Sequence, residues 1–124
     1  GHPRPTPSYT EATMEPLETR VRRGAEYLAH MEPKWWKNVV ASELKMSECH
    51  ECVLGQLYGD FWSYLRDRYR SSTPVVGCIT RGCITWARAC GFLSQPGDES
   101  YDGYDAAWLS EIHRRREAHG SHAL

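Results

Sequence analysis

The sequence predicts a mainly α-helical, compact single domain of four to five short helices that follows a disordered N-terminal tail. Apolar residues recur with the period of an α-helix in several segments, and no alternating strand–helix pattern is visible. A chain of 124 residues has the length of one domain. The first twelve residues hold three prolines and few apolar side chains. We therefore expect a disordered tail over residues 1–13, a helical domain over 14–118 and a frayed C-terminus over 119–124.

The first predicted helix begins near Glu15, with Pro16 in its first turn, where the missing N–H costs little. One face of this helix is apolar, and its residues are Leu17, Val21, Gly24, Ala25, Leu28 and Met31. Arg20, Arg22 and Arg23 flank that face and are expected on the solvent side.

Two adjacent tryptophans, Trp35 and Trp36, follow in a segment that is predicted to be a short helix or turn. Neighbouring side chains on a helix cannot point the same way. We expect one ring to fill the core and the other to lie across a groove or stay partly exposed.

The clearest helical pattern covers about residues 50–69. Its apolar face consists of Leu54, Leu57, Tyr58, Phe61 and Leu65. Gly55 and Gly59 lie four residues apart in it, and each costs about 1 kcal/mol against alanine inside a helix. We expect both glycines to permit close packing of another backbone, and Cys52 to be a buried structural residue where the helix begins.

A fourth helix is predicted over residues 80–90, and a last helix from residues 101–103 onward. The residues expected to face the core are Cys83, Ile84, Ala87, Cys90, Tyr104, Trp108 and Ile112. Gly91 supplies a C-terminal stop for the fourth helix. Arg114, Arg115 and Arg116 occupy the last turns of the final helix, where positive charge suits the helix dipole.

Charge and hydropathy exclude several classes of function. The net charge of −1 and the pI near 6.6 give no basic field for non-specific nucleic-acid binding. No run of eighteen apolar residues is present, and the N-terminal residues lack the apolar core of a signal peptide. Five cysteines, an odd number, favour free thiols in a reducing cytosol over a disulfide framework.

The spacing Cys49-x-x-Cys52 is that of half a tetrahedral zinc site. Cys78 and Cys83 are the candidates for the other half, with His50 or Cys90 as a further candidate ligand. The x4 spacing of that second pair is loose, and Cys52 runs directly into an apolar helix, so the sequence favours a structural role without a cofactor. A small zinc-binding protein that contacts nucleic acid remains the alternative.

Thiol chemistry is a third possibility. A C-x-x-C pair at a helix N-terminus is typical of redox sites, because the helix dipole lowers a thiol pKa. No preceding strand supports that fold here. A Cys–His nucleophile has His30, His50 and His113 as candidate bases, and no residue pattern orients any of them.

Aromatic residues are abundant, with five tryptophans and seven tyrosines. A core this small cannot bury all of them, and tryptophan and arginine are common anchors of protein interfaces. We expect an interface that includes Trp35, Trp36, Trp62, Arg114 and Arg115.

Several segments together resemble a known group of proteins: "GAEYL", a Pro-x-Trp-Trp turn, "LKMS", "CVLGQLYGDF" and a C-terminal "WLSEI" with following arginines. They are similar to small hypothetical proteins of actinobacteria and their phages, including mycobacteriophages. The similarity covers about residues 15–65 and 86–116, and "CVLGQLYG" is its most specific part. The group has no established activity, so the resemblance implies no catalytic residue. It implies a phage-encoded, non-enzymatic module that binds a host or phage protein in the cytoplasm.

Overall fold

The computed structural model describes residues 15–70, 81–95 and 101–120. In these ranges the chain forms five α-helices and no strand, which confirms the mainly helical class. The helices are α1 (Leu17–Met31), α2 (Val53–Tyr58), α3 (Phe61–Arg70), α4 (Arg81–Ala89) and α5 (Asp102–Gly120). Two short 3₁₀ helices, Trp35–Asn38 and Ala41–Glu43, connect α1 to α2. The predicted disordered tail, Cys78 and residues 121–124 lie outside the described residues, whereas α5 continues through 119–120.

Helix α1 packs against α4 and α5, and its buried face includes Val21, Gly24, Ala25 and Leu28, as predicted. Met31 is 60% exposed, so its predicted place in the core is wrong. The helix ends there, because Glu32 has an extended backbone.

Arg20 is buried, which corrects its expected place on the solvent side. Its guanidinium donates hydrogen bonds to the Arg88 carbonyl at 2.9 Å and to the Tyr104 hydroxyl at 3.0 Å. Arg23 donates to the neighbouring Ala89 carbonyl at 2.7 Å. These carbonyls end α4 and have no partner inside that helix, so the two arginines satisfy them and complement its dipole.

The predicted helix over residues 50–69 is two helices, and Gly59 separates them. The Cys52 sulfur caps α2 by accepting a hydrogen bond from the Gly55 N–H at 3.3 Å. Gly59 has φ +100°, a conformation that favours glycine, and the chain turns there. Asp60 then caps α3, since its Oδ2 accepts from the Ser63 N–H at 2.8 Å. Tyr58, expected in the core, is therefore 41% exposed at the end of α2.

Trp35 and Trp36 are both buried, so the predicted exposure of one of them is wrong. Their 3₁₀ helix contacts both α2 and α5. Trp35 packs edge-on against Trp108, and Trp36 packs against His119, three turns further along α5. The two rings do point in different directions, but α5 is long enough to contact both.

The core around α4 agrees with the sequence pattern. Cys83, Ala87 and Cys90 are buried, although Ile84 is only half-buried. Gly91 ends the segment with φ +73° and lies so close to α1 that a Cβ would stand 2.9 Å from Val21 Cγ2. One hydrophobic cluster thus joins residues of all five helices.

Candidate functional site

The residues predicted for a protein interface do not form one surface. Trp35 and Trp36 belong to the core, whereas Trp62 is 39% exposed. Arg114 and Arg115 both contact the buried carboxylate of Glu111, at 2.6 and 2.8 Å. Arg115 also pairs with Glu26 at 3.0 Å on α1, so it ties α5 to α1.

The charge on Glu111 is stabilised by those arginines. Burial acts to raise the pKa of this carboxyl group, but hydrogen bonds from Arg114 and Arg115 outweigh it, and the pKa is lowered. Glu111 therefore stays ionised at neutral pH. The position of Arg114 and Arg115 is explained by their contacts with Glu111, without an external ligand.

An exposed aromatic surface lies where α1, α2 and α3 meet. The ring of Tyr58 stacks on the ring of Tyr64, with centroids 4.3 Å apart and planes inclined by 19°. The Tyr64 hydroxyl contacts the hydroxyl of Tyr27 on α1. Met31 follows one turn after Tyr27 on the same helix. We call Tyr27, Met31, Tyr58 and Tyr64 the tyrosine patch.

Core contacts hold the tyrosine patch in place. The Tyr27 ring packs edge-on against buried Trp86, with centroids 5.0 Å apart. The Arg68 guanidinium lies over both rings, 3.9 Å from the centroid of Trp86 and 5.2 Å from that of Tyr27. Arg68 also donates from Nε to the Tyr27 hydroxyl at 3.3 Å. Tyr27 is therefore held firmly within the patch. Burial raises the pKa of Tyr58, which remains a neutral phenol.

A second cluster lies at the turn before α2 and the break after it. Ligand atoms of Cys49, His50 and Asp60 all lie within 4.8 Å of one another. His50 Nε2 is 3.7 Å from Asp60 Oδ1, and His50 Nδ1 is 2.8 Å from the Gly59 carbonyl oxygen. We call these three residues the Cys–His–Asp cluster.

The backbone brings the members of this cluster together across eleven residues. A Cβ on Gly55 would overlap the Cys49 carbonyl oxygen and stand 2.8 Å from His50 Cα, so only glycine lets the turn lie on α2. The Cys49 carbonyl in turn accepts a hydrogen bond from the Phe61 N–H at 2.9 Å. These contacts place the start of α3, and with it Asp60, beside Cys49 and His50.

Within the Cys–His–Asp cluster, the pKa of Cys49 is raised and the pKa of Asp60 is lowered. Partial burial, then a hydrogen bond to Asp60 and the charge of that carboxylate, raise the pKa of the Cys49 thiol. The pKa of Asp60 is lowered, chiefly because its carboxylate accepts the hydrogen bond from the Ser63 N–H. At neutral pH the Cys49 thiol therefore keeps its proton beside the ionised Asp60 carboxylate.

The predicted four-cysteine zinc set is not assembled in the described part of the chain. Cys52 caps α2, and the Cys83 thiol lies 3.9 Å from the Leu65 carbonyl oxygen. Among the described residues, no group of three or more potential ligands includes Cys52 or Cys83. Of the three described members of the predicted set, Cys49, Cys52 and Cys83, Cys49 alone lies in such a group.

The pKa values of two buried thiols also bear on the thiol-enzyme hypothesis. Burial raises the pKa of Cys52 and of Cys90 to about 11 each. Both thiols are therefore protonated and weakly nucleophilic at neutral pH.

Sequence reasoning missed the tyrosine patch and one member of the Cys–His–Asp cluster, Asp60, whereas Cys49 and His50 were both named as candidates. Tyr58 was expected to be buried because its position continues the apolar face of a helix that in fact ends at Gly59. The Gly59–Asp60 pair was the available signal for that helix end, since glycine commonly ends a helix and aspartate commonly caps the next one.

Comparison of the chain with known protein families, with curated proteins and with solved structures finds no match. None of the described helices combines the length and the apolar character needed to cross a lipid bilayer. The tyrosine patch and the Cys–His–Asp cluster are the two features of the structure that bear on function.

Proposed function

We propose that this domain is a non-enzymatic protein-interaction module and that the tyrosine patch is its binding surface. The observation that carries the proposal is the exposed ring of Tyr58, which stacks on the half-buried ring of Tyr64, together with the 60% exposed Met31 one turn after Tyr27. Tyrosine and methionine are enriched at protein interfaces, because they offer large contact areas. Tyrosine also loses little conformational entropy when it binds.

The tyrosine patch suits a partner that presents an apolar segment with free backbone carbonyls. The rings and Met31 supply apolar area, and the Tyr58 hydroxyl supplies a hydrogen-bond donor. Because Arg68 and Trp86 already hold Tyr27, binding orders few side chains, and little affinity is lost to that ordering.

The cellular setting of the proposal comes from the sequence resemblance. The segment "CVLGQLYG" spans residues 52–59 and contributes Tyr58 to the patch. The resemblance to proteins of actinobacteria and their phages supports a host or phage protein in the bacterial cytoplasm as the partner.

Replacing Tyr58 with alanine is expected to weaken partner binding by about tenfold or more, because the stacked pair is lost. The partner is captured from host lysate, identified and purified, and its dissociation constant is then measured. Val40→Ala is the matched control, since Val40 is 48% exposed and lies outside the patch. Both variants should keep the melting temperature of the wild type within a few degrees.

Two results would overturn the proposal. One is a captured partner whose affinity for the Tyr58→Ala variant equals its affinity for the wild type. The other is a wild-type protein that captures no partner and does not self-associate.

A further inference from the structure

We propose that Cys49, His50 and Asp60 form a zinc-binding site, independently of the tyrosine patch. The three side chains offer sulfur, imidazole nitrogen and carboxylate oxygen, which are the ligand types that Zn²⁺ takes from proteins. The combination with a thiolate favours zinc over magnesium and calcium, which prefer oxygen ligands.

The distances suit a tetrahedral ion. With Zn–N and Zn–O bonds near 2.0 Å and a Zn–S bond near 2.3 Å, neighbouring ligand atoms lie about 3.3–3.6 Å apart. His50 Nε2 and Asp60 Oδ1 are 3.7 Å apart, and all three ligand atoms lie within 4.8 Å of one another. Small side-chain rotations bring them to bonding distance around one ion.

The hydrogen bonds of His50 and Asp60 orient both residues as ligands. A carbonyl oxygen only accepts, so His50 Nδ1 must carry the proton that it shares with the Gly59 oxygen at 2.8 Å. The lone pair of Nε2 then faces Asp60. An imidazole that donates its other N–H to a backbone carbonyl is the usual arrangement of a metal-ligating histidine. Asp60 is held in the same way, with Oδ2 bound by the Ser63 N–H and Oδ1 facing His50.

The site is also held by its backbone. Gly55 supports the turn that carries Cys49 and His50, and the Phe61 N–H binds the Cys49 carbonyl at 2.9 Å. A site that is formed before the ion arrives loses less conformational entropy on binding than a flexible one. Three protein ligands leave a fourth position for water, on the side where the His50 side chain is 70% exposed.

When zinc binds at this site, Cys49 releases a proton. The Cys49 thiol loses its proton to solvent, and the sulfur then bonds Zn²⁺ as a thiolate. Because only the thiolate is a ligand, the zinc affinity is expected to rise with pH and to fall as the solution is acidified.

Titration of the reduced, metal-free full-length chain tests the site. We expect a single equivalent of zinc, and with Co²⁺ a thiolate-to-metal charge-transfer band that reports Cys49 as a ligand. His50→Gln should weaken zinc binding by more than about tenfold, because even the loss of a residue that only supports a ligand typically costs about 10–100-fold in metal affinity. His113→Gln is the matched control, because His113 is another exposed histidine and lies on α5.

A second variant separates binding from folding. Asp60→Asn keeps an N-cap for α3 but removes the carboxylate, so it should fold normally and bind zinc more weakly. The proposal is overturned if wild type binds no more zinc than His50→Gln. It is also overturned if Cys52→Ser or Cys78→Ser abolishes binding while His50→Gln leaves it intact, since zinc would then belong to the cysteine set. Neither result affects the Tyr58 test, which is run without added metal.

Discussion

Replacing Gly55 with alanine is expected to lower the free energy of unfolding by about 3 kcal/mol, the upper end of overpacking costs. A Cβ at this position would overlap the Cys49 carbonyl oxygen and would stand 2.8 Å from His50 Cα. The obstructing atoms are backbone atoms, which cannot move aside as a flexible side chain can. The turn must shift or α2 must unwind, and denaturant unfolding monitored by circular dichroism measures the loss.

Gly59→Ala is the matched comparison. The sequence pattern predicted that both glycines pack closely, but a Cβ on Gly59 meets nothing within 4 Å. Its φ of +100° costs a non-glycine residue roughly 1–2 kcal/mol through backbone strain alone. Equal losses in the two variants, or a Gly55→Ala protein as stable as wild type, would contradict the close approach at Gly55.

Replacing Trp108 with alanine is expected to cost about 3–5 kcal/mol, as for other large aromatic residues in cores. Its side chain is fully buried, stacks on Phe92 with centroids 5.2 Å apart, and meets Trp35 edge-on at 5.9 Å. Its Nε1–H also donates to the Gly91 carbonyl at 2.8 Å. Truncation therefore opens a cavity and leaves a buried carbonyl without its donor.

Trp62→Ala controls for the loss of a tryptophan as such. Trp62 is 39% exposed and packs on the core through one edge-on contact with Phe61. We expect it to cost roughly 1 kcal/mol or less, as for surface substitutions. If thermal melting shows Trp62→Ala to be as damaging as Trp108→Ala, the assignment of Trp108 to the centre of the core is wrong.

Local pattern in the sequence was sufficient for the fold class and for several helix ends. The apolar period gives the buried face of α1 from Val21 to Leu28, and Gly91 ends the helix before it, as a C-terminal glycine does. Such features depend on neighbours a few residues away, which a single sequence contains.

Long-range contacts account for what the sequence did not predict. Arg20 is buried because the carbonyl it binds belongs to Arg88, 68 residues later. Trp36 is buried because α5 extends as far as His119. Neither partner can be read from the residues around Arg20 or Trp36.

The Cys–His–Asp cluster illustrates the same limit. The spacing Cys49-x-x-Cys52 drew attention to two thiols, but Cys52 serves as a helix cap. Asp60 lies eleven residues after Cys49 and reaches it only because Gly55 and Gly59 fold the chain back. The separation of eleven residues between Cys49 and Asp60 matches no recognised sequence spacing of metal ligands.

Iodide quenching of tryptophan fluorescence tests most directly whether the fold buries four of the five tryptophans and leaves Trp62 partly exposed. Trp35, Trp36, Trp86 and Trp108 are all buried, so quenching by this charged, excluded ion should come from Trp62. We expect the quenchable fraction to disappear in a Trp62→Phe variant that melts like the wild type. Undiminished quenching in that variant would place another tryptophan at the surface and contradict the fold described for this chain.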